Sequence, residues 1–213
     1  MKALVIGACW ADGADDFYAA LAADHELVVA ADAAAERLLA LGTAPDIACG
    51  DFDSAEPGAA ERLEDAGVAV RTYAAEKDET DLDLALDAAR AAGATSVTFT
   101  GAFRGRLDHT LAALGTMAAA ADLAATAIEP DLHIWVVDGA ACPVLELALA
   151  PGTLVSVVAF GTPPTGVTLS GMRYPLAGAT LSPLSGLGVS NVAEGSTQIV
   201  TLSTGTLLVL SVS

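Results

Sequence analysis

A succession of short aliphatic segments, each followed by a stretch of helical character, constrains this chain most. Residues 3–6, 26–30, 46–49, 68–72, 96–100 and 132–137 are strand candidates, several of them near-continuous apolar runs. Such runs suit a parallel sheet covered on both faces. The clearest helix is predicted over 80–92. Asp78 or Thr80 can cap it, Leu82, Leu86 and Ala89 share a face, and Gly93 stops it. Strands alternating with helices predict an α/β N-terminal domain with a mostly parallel, doubly wound sheet.

The texture changes near residues 139–151. Residues 1–138 carry 25 acidic and 8 basic side chains, whereas 139–213 carry only Glu146, Glu194 and Arg173. The later part is rich in Val, Leu, Thr, Ser and Gly. Strand candidates lie at 154–160, 166–169, 198–202 and 206–212, with turns at 162–164, 176–178 and 185–188. Short strands spaced by turn residues predict an all-β C-terminal β-sandwich. The expected domains are therefore 1–139 and 140–213.

Charge narrows the partners. The 213 residues have a formal net charge of −18 and no basic run, so neither a nucleic acid nor an anionic membrane surface is an expected partner. A phosphate substrate would need a divalent metal between it and so acidic a protein. Cys9, Cys49 and Cys142 have no C-x-x-C spacing and read as reduced thiols of a cytoplasmic protein. The apolar run before Asp12 is too short for a signal peptide. No apolar stretch reaches the roughly 20 residues that span a bilayer. His25, His109 and His133 offer no zinc spacing. The P-loop, the G-x-G-x-x-G fingerprint after the first strand and the G-x-S-x-G elbow are all absent.

Three clusters sit where a βα-sheet holds its ligand, at the carboxyl ends of strands. Gly50-Asp51-Phe52-Asp53-Ser54 follows the 46–49 strand. On extended backbone its two carboxylates point the same way, and hard oxygen donors suit Mg²⁺. Lys77-Asp78-Glu79-Thr80-Asp81 opens the 80–92 helix; Asp78 and Asp81 can share a face, and Lys77 could balance a phosphate. Gly101-Ala102-Phe103-Arg104-Gly105-Arg106-Leu107-Asp108-His109-Thr110 follows the 96–100 strand. Its glycines, arginines and helix start suit an anion. Each cluster also reads more simply as a capped helix start or an acidic turn, and His109 as a structural histidine.

Taken in order, the clusters resemble thiamine pyrophosphokinase. The matching pieces are Pro45-Asp46 leading into Gly50-Asp51-Phe52-Asp53-Ser54, then Lys77-Asp78-Glu79-Thr80-Asp81, then Gly105-Arg106-Leu107-Asp108-His109. Gly171-Met172-Arg173-Tyr174-Pro175-Leu176 and Gly188-Val189-Ser190-Asn191 follow in the later domain. The resemblance spans about residues 30–212. It implies pyrophosphoryl transfer from ATP to the thiamine hydroxyl, with AMP released, by a homodimer with active sites at the subunit interface. It implies Mg²⁺ held by Asp51, Asp53 and Asp81, with Arg106 and Asp108 completing the catalytic set. Asp32, Lys77, Asp78, Thr80, Arg104 and His109 would bind ATP, and Tyr174, Ser190 and Asn191 would bind thiamine. Two departures stand out. Ala31-Asp32-Ala33-Ala34-Ala35 replaces the family's usual Ala-Asp-Gly-Gly-Ala, and Arg104-Gly105-Arg106 replaces Gly-Gly-Arg. A D-x-D after a strand also marks metal-dependent nucleotide-sugar transferases, and a non-catalytic thiamine or nucleotide binder is a further alternative.

Overall fold

A computed structural model describes residues 1–52, 57–74 and 76–212. The chain forms two compact units, Met1–Thr116 and Met117–Ser213. No helix among the described residues is long and apolar enough to cross a membrane.

The first unit alternates strands and helices: β1 (Lys2–Ile6), α1 (Asp15–Ala23), β2 (Leu27–Ala31), α2 (Ala34–Ala40), β3 (Ile47–Gly50), α3 (Ala59–Asp65), β4 (Ala69–Thr72), α4 (Asp81–Ala91) and β5 (Ser96–Thr100), with α5 (Leu107–Ala119) following. The five strands are parallel in the order β5-β1-β2-β3-β4. The five predicted strands of this unit are all present within a residue or two. Their apolar runs have a physical cause. Leu4, Ile6, Val28, Ala30 and Ala48 face a core shared with Tyr18, Leu38 and Leu63 of α1, α2 and α3. α4 packs against β1, β2 and β3, and the alternate residues Ala3, Val5 and Val29 are as fully buried. A strand buried on both faces cannot alternate polar with apolar.

The chain winds outward through β2 and β3 to β4, then crosses back to β5 beside β1. The order reverses at β1, where open α/β sheets bind ligands. There the two loops touch backbone to backbone. Gly7 N–H donates to the Thr100 carbonyl (2.9 Å) and Cys9 N–H to the Gly101 carbonyl (2.7 Å). The Trp10 indole N–H caps the Gly7 carbonyl at 2.7 Å and its ring stacks on Tyr18. Gly101 has φ +63°, and a Cβ there would meet the Gly7 carbonyl and come 2.8 Å from Trp10 Cδ1.

The second unit contains β6 (Thr126–Glu129), β7 (Leu132–Asp138), β8 (Val144–Leu147), β9 (Leu154–Thr165), β10 (Val167–Ser170), β11 (Leu176–Ala179), β12 (Asn191–Val192), β13 (Gln198–Thr201) and β14 (Thr204–Val212). One antiparallel sheet runs β12-β9-β14-β7-β6 and the other β11-β10-β13-β8. Val137, Val155, Val157, Leu207 and Val209 of the first sheet share one core with Leu147, Val167, Leu169 and Val200 of the second. This is the expected sandwich.

Three sequence expectations are corrected here. The 132–137 segment is a strand, but an antiparallel one paired with β6 and β14. Only Pro130 and Asp131 separate it from β6, and a parallel partner would need a crossover of a dozen residues or more. The predicted turn at 162–164 lies inside β9. Pro163 and Pro164 fall where the β9–β14 register shifts, so their missing N–H groups break no regular ladder bond. The predicted turn at 176–178 is instead the start of β11, bulged against β10.

Gly101→Ala is expected to cost about 2–5 kcal/mol, from a left-handed non-glycine backbone and an overpacked contact. Urea unfolding of the variant beside the native chain measures it.

Candidate active site

A cleft of about 600 Å³ opens at the carboxyl ends of the parallel strands, within the size range of small-molecule sites. It is lined by Gly7, Ala8 and Cys9 after β1, and by Gly101 and Ala102 after β5. Asp32 follows β2, Asp51 follows β3, and Lys77, Thr80 and Asp81 come from the entry to α4. His109 lines it from α5. Six site residues predicted from sequence therefore meet in one cavity.

Their geometry is electrostatic. Lys77 Nζ lies 2.9 Å from Asp81 Oδ1 and 3.8 Å from Asp51 Oδ2. The lysine side chain is only 14% exposed, and Asp51 17%, so water screens these charges weakly. The hydrogen bond to Asp81 raises the Lys77 pKa above its ordinary value, with the charges of Asp51 and Asp32 adding to it. Lys77 is thus a fixed positive charge among carboxylates.

Thr80, rather than Asp78, caps α4. Asp83 N–H donates to Thr80 Oγ1 (3.2 Å) and Thr80 N–H to Asp83 Oδ2 (3.0 Å), a reciprocal capping box. Asp83 Oδ1 also accepts from Thr116 Oγ1 at 2.5 Å, which ties the start of α4 to α5. The sequence pattern Thr80-x-x-Asp83 was the available signal for Asp83; nothing in the sequence pointed to Thr116 across 33 residues. Cys9 lines the cleft without having been singled out from sequence, marked only by its place just after β1.

Gly50 is explained by the fold before any ligand. A Cβ at Gly50 would come 3.1 Å from Asp32 Cα, and Asp32 N–H donates to the Cys49 carbonyl at 2.8 Å. Burial pushes the Cys49 thiol up to about 11, so it stays a neutral core group. The alanine substitutions in the Asp32 loop are accommodated. Ala33 is right-handed (φ −58°, ψ −16°) and Ala34 begins α2. Asp32 itself takes the left-handed turn, with φ +47°.

Several expectations differ from this arrangement. Phe52 has φ +55°, so the backbone is left-handed rather than extended at Phe52. Asp53 lies outside the described residues. Asp78 precedes the helix, is exposed and is not among the residues lining this cleft; Lys77, not Asp78, reaches Asp81. Arg104 is half-buried off the cleft lining. Arg106 and Asp108 are exposed and bound to each other, Nε to Oδ1 at 3.1 Å and Nη2 to Oδ2 at 2.6 Å. That bidentate pair holds the Asp108 carboxyl down at about 2.

Among the described residues, no group of three or more His, Cys, Asp or Glu side chains is placed to hold a metal. Asp51 and Asp81 nevertheless both reach one cationic centre, the Lys77 ammonium. Two hard carboxylates are what Mg²⁺ usually takes from a protein before adding water and phosphate oxygens. The donor set fits a divalent ion.

A second groove, of about 280 Å³, lies in the second unit and is lined by Tyr174, Leu176, Leu187, Val189 and Asn191 among others. Tyr174 is 61% exposed. Asn191 is 2% exposed and its amide is committed to backbone. Oδ1 accepts from Tyr174 and Val192 N–H (2.9 Å each), and Nδ2 donates to the Tyr174 carbonyl (2.8 Å). Asn191 thus clamps the segment that presents Tyr174. Ser190 is exposed with φ +58° and does not line the groove.

Comparison with known proteins finds matches over most of the chain. The family model described as thiamin pyrophosphokinase, catalytic domain, matches residues 18–128, and the one described as thiamin pyrophosphokinase, vitamin B1 binding domain, matches 144–209. A thiamine pyrophosphokinase of Bacillus subtilis (strain 168) is 30% identical over 192 residues, covering 88% of this chain and 87% of the relative. A crystal structure of thiamine pyrophosphokinase from Bacillus subtilis superposes with a TM-score of 0.82 at 24% identity, covering 100% of this chain and 99% of that one. Thiamin pyrophosphokinase from Geobacillus thermodenitrificans gives 0.79 at 27% identity over 100% and 98%. The yeast enzyme gives 0.77 at 15% identity over 100% and 86%.

In a carboxyl-detected NMR titration, Asp108 is expected to lose its proton near pH 2, well below an ordinary aspartate. Arg106→Ala should return it to the usual range near 3.9. A depressed pKa means the pair is fully formed above the unfolded value and is lost only as pH falls through the folded one.

Proposed function

The chain belongs to the thiamin pyrophosphokinase family, and on that premise we propose how the transfer chemistry is divided among its residues. The family forms thiamine diphosphate by moving a pyrophosphoryl group from ATP. The observation that carries the assignment is the Asp51–Lys77–Asp81 arrangement at the strand ends.

ATP lies in the first-unit cleft, its phosphates over the Gly7–Cys9 and Gly101–Ala102 backbone and the N-terminus of α4. An eleven-residue helix held by its capping box presents oriented N–H groups to an anion there. Asp51 and Asp81, with Asp53 added from the sequence motif, would hold Mg²⁺. Bound there, it would supply charge neutralisation to the phosphate oxygens. Lys77 and His109 face the polyphosphate. Arg106 and Asp108 act as a paired unit beside the mouth, and Arg104 and Asp78 contact ATP from outside the described lining. Asp32, turned inward by its left-handed backbone, borders the same cleft.

Thiamine takes the second-unit groove. Tyr174 offers an exposed ring face to the cationic thiazolium, Asn191 holds that ring's backbone, and Ser190 contacts the pyrimidine. The two pockets share no lining residue, and the reaction needs both substrates in line. A homodimer with active sites at the subunit interface satisfies that need. Residues 1–139 supply the catalytic part and 140–213 the thiamine-binding part. The three cysteines are free, consistent with a cytoplasmic enzyme.

Asp51→Asn, Asp81→Asn and Asp53→Ala should each lower kcat by at least about 10²-fold, the scale of losing one preorganised electrostatic group, with the far-UV spectrum unchanged. Turnover near the native rate in Asp81→Asn would remove the metal assignment. Tyr174→Ala should raise the thiamine KM about tenfold with little change in kcat, since stacking acts on ground and transition states alike. An unchanged KM would place thiamine elsewhere.

A further inference from the structure

We propose that the Lys77 ammonium and the divalent cation compete for the same carboxylate oxygens, so that Lys77 guards the metal position until polyphosphate draws it away. The inference rests on the metal-and-ATP reading of the cleft.

The geometry carries it. Lys77 Nζ lies between Asp81 Oδ1 at 2.9 Å and Asp51 Oδ2 at 3.8 Å. A Mg²⁺ ion binds carboxylate oxygen at about 2.0–2.1 Å. An ion on these two carboxylates would sit within a few ångströms of the ammonium. The site is weakly exposed, so the repulsion between them is poorly screened. A lysine is a compact point charge on a flexible stem with three donors, and it has somewhere to go. It lines the same cleft as the phosphate-facing backbone of Gly7 and Gly101. When it shifts its charge from carboxylate to phosphate, the carboxylates are released to the metal.

Two consequences follow. Without nucleotide, the metal must displace an ion-paired ammonium and binds weakly. With nucleotide, metal and polyphosphate favour each other, and that coupling is reciprocal. Lys77 also prevents Asp51 and Asp81 from facing each other as bare charges while the cleft waits for substrate.

The test is Mn²⁺ titration of the nucleotide-free full chain, followed by the electron paramagnetic resonance signal of free Mn²⁺. Lys77→Met and Lys77→Gln are expected to bind Mn²⁺ at least tenfold more tightly than the native chain. Lys77→Arg, which keeps the charge, should stay within about threefold of native. Adding Asp51→Asn to Lys77→Met should abolish the gain. A gain in affinity cannot come from a damaged fold, which separates competition from a merely structural role. Equal or weaker Mn²⁺ binding in both Lys77→Met and Lys77→Gln overturns the proposal. So does a gain that survives Asp51→Asn, or no binding in any variant at millimolar Mn²⁺. Nucleotide turnover by the native chain is measured separately, so failure of the competition is distinguishable from failure of the functional reading.

Discussion

Asp32, Asp51 and Asp81 reach one cleft from three different elements, and carboxylates so gathered repel. The single ammonium of Lys77, buried against two of them, makes the arrangement sustainable. At an effective dielectric of about 20, opposite charges about 4 Å apart attract by roughly 4 kcal/mol. That is comparable to what a crowded acid site stands to lose. In a chain of net charge −18, each cation that enters the cleft has this same work to do.

The fold serves that requirement by bringing backbone close to backbone. At Gly7 and Gly101 two loops touch with no side chain between them, Gly7 and Cys9 N–H being spent on the Thr100 and Gly101 carbonyls. Gly50 lets the Asp32 loop approach β3, so two acids from neighbouring strands can border one cavity. Trp10, stacked on Tyr18 and bonded to the Gly7 carbonyl, braces the floor from behind. The capping box of α4 fixes where Asp81 begins the helix. Catalysis by positioning rather than by covalent chemistry asks for this kind of rigidity.

Much of this is legible in the sequence, for reasons that are local. The strands β1 to β5 announce themselves because burial on both faces forbids polar alternation. The start of α4 is written in Thr80 and Asp83, three residues apart. The ordered motifs brought Asp32, Asp51, Lys77, Thr80, Asp81 and His109 to one cleft. What escaped is set by longer-range or finer geometry. The direction of β7 depends on a two-residue link to β6 that the composition of the strand does not reveal. Arg106 reads as a lone guanidinium until Asp108 is found bonded to its Nε and Nη2. Asn191 reads as a substrate contact until its amide is found spent on the Tyr174 backbone. The backbone between Asp51 and Asp53 reads as extended until Phe52 is seen to turn left-handed. In each case the residue type was right for chemistry, and a neighbour decided what it does.

On the proposed reading, the cleft directs attack of the thiamine hydroxyl at the β-phosphorus of ATP. Resolving the nucleotide products of the purified chain with ATP, thiamine and Mg²⁺ is the decisive experiment. AMP formed in equal amount with thiamine diphosphate, and dependent on added thiamine, is the expected result. ADP formed in step with thiamine monophosphate would contradict it, because attack would then fall on the γ-phosphorus and the phosphates would have to lie differently over Asp51, Lys77 and Asp81.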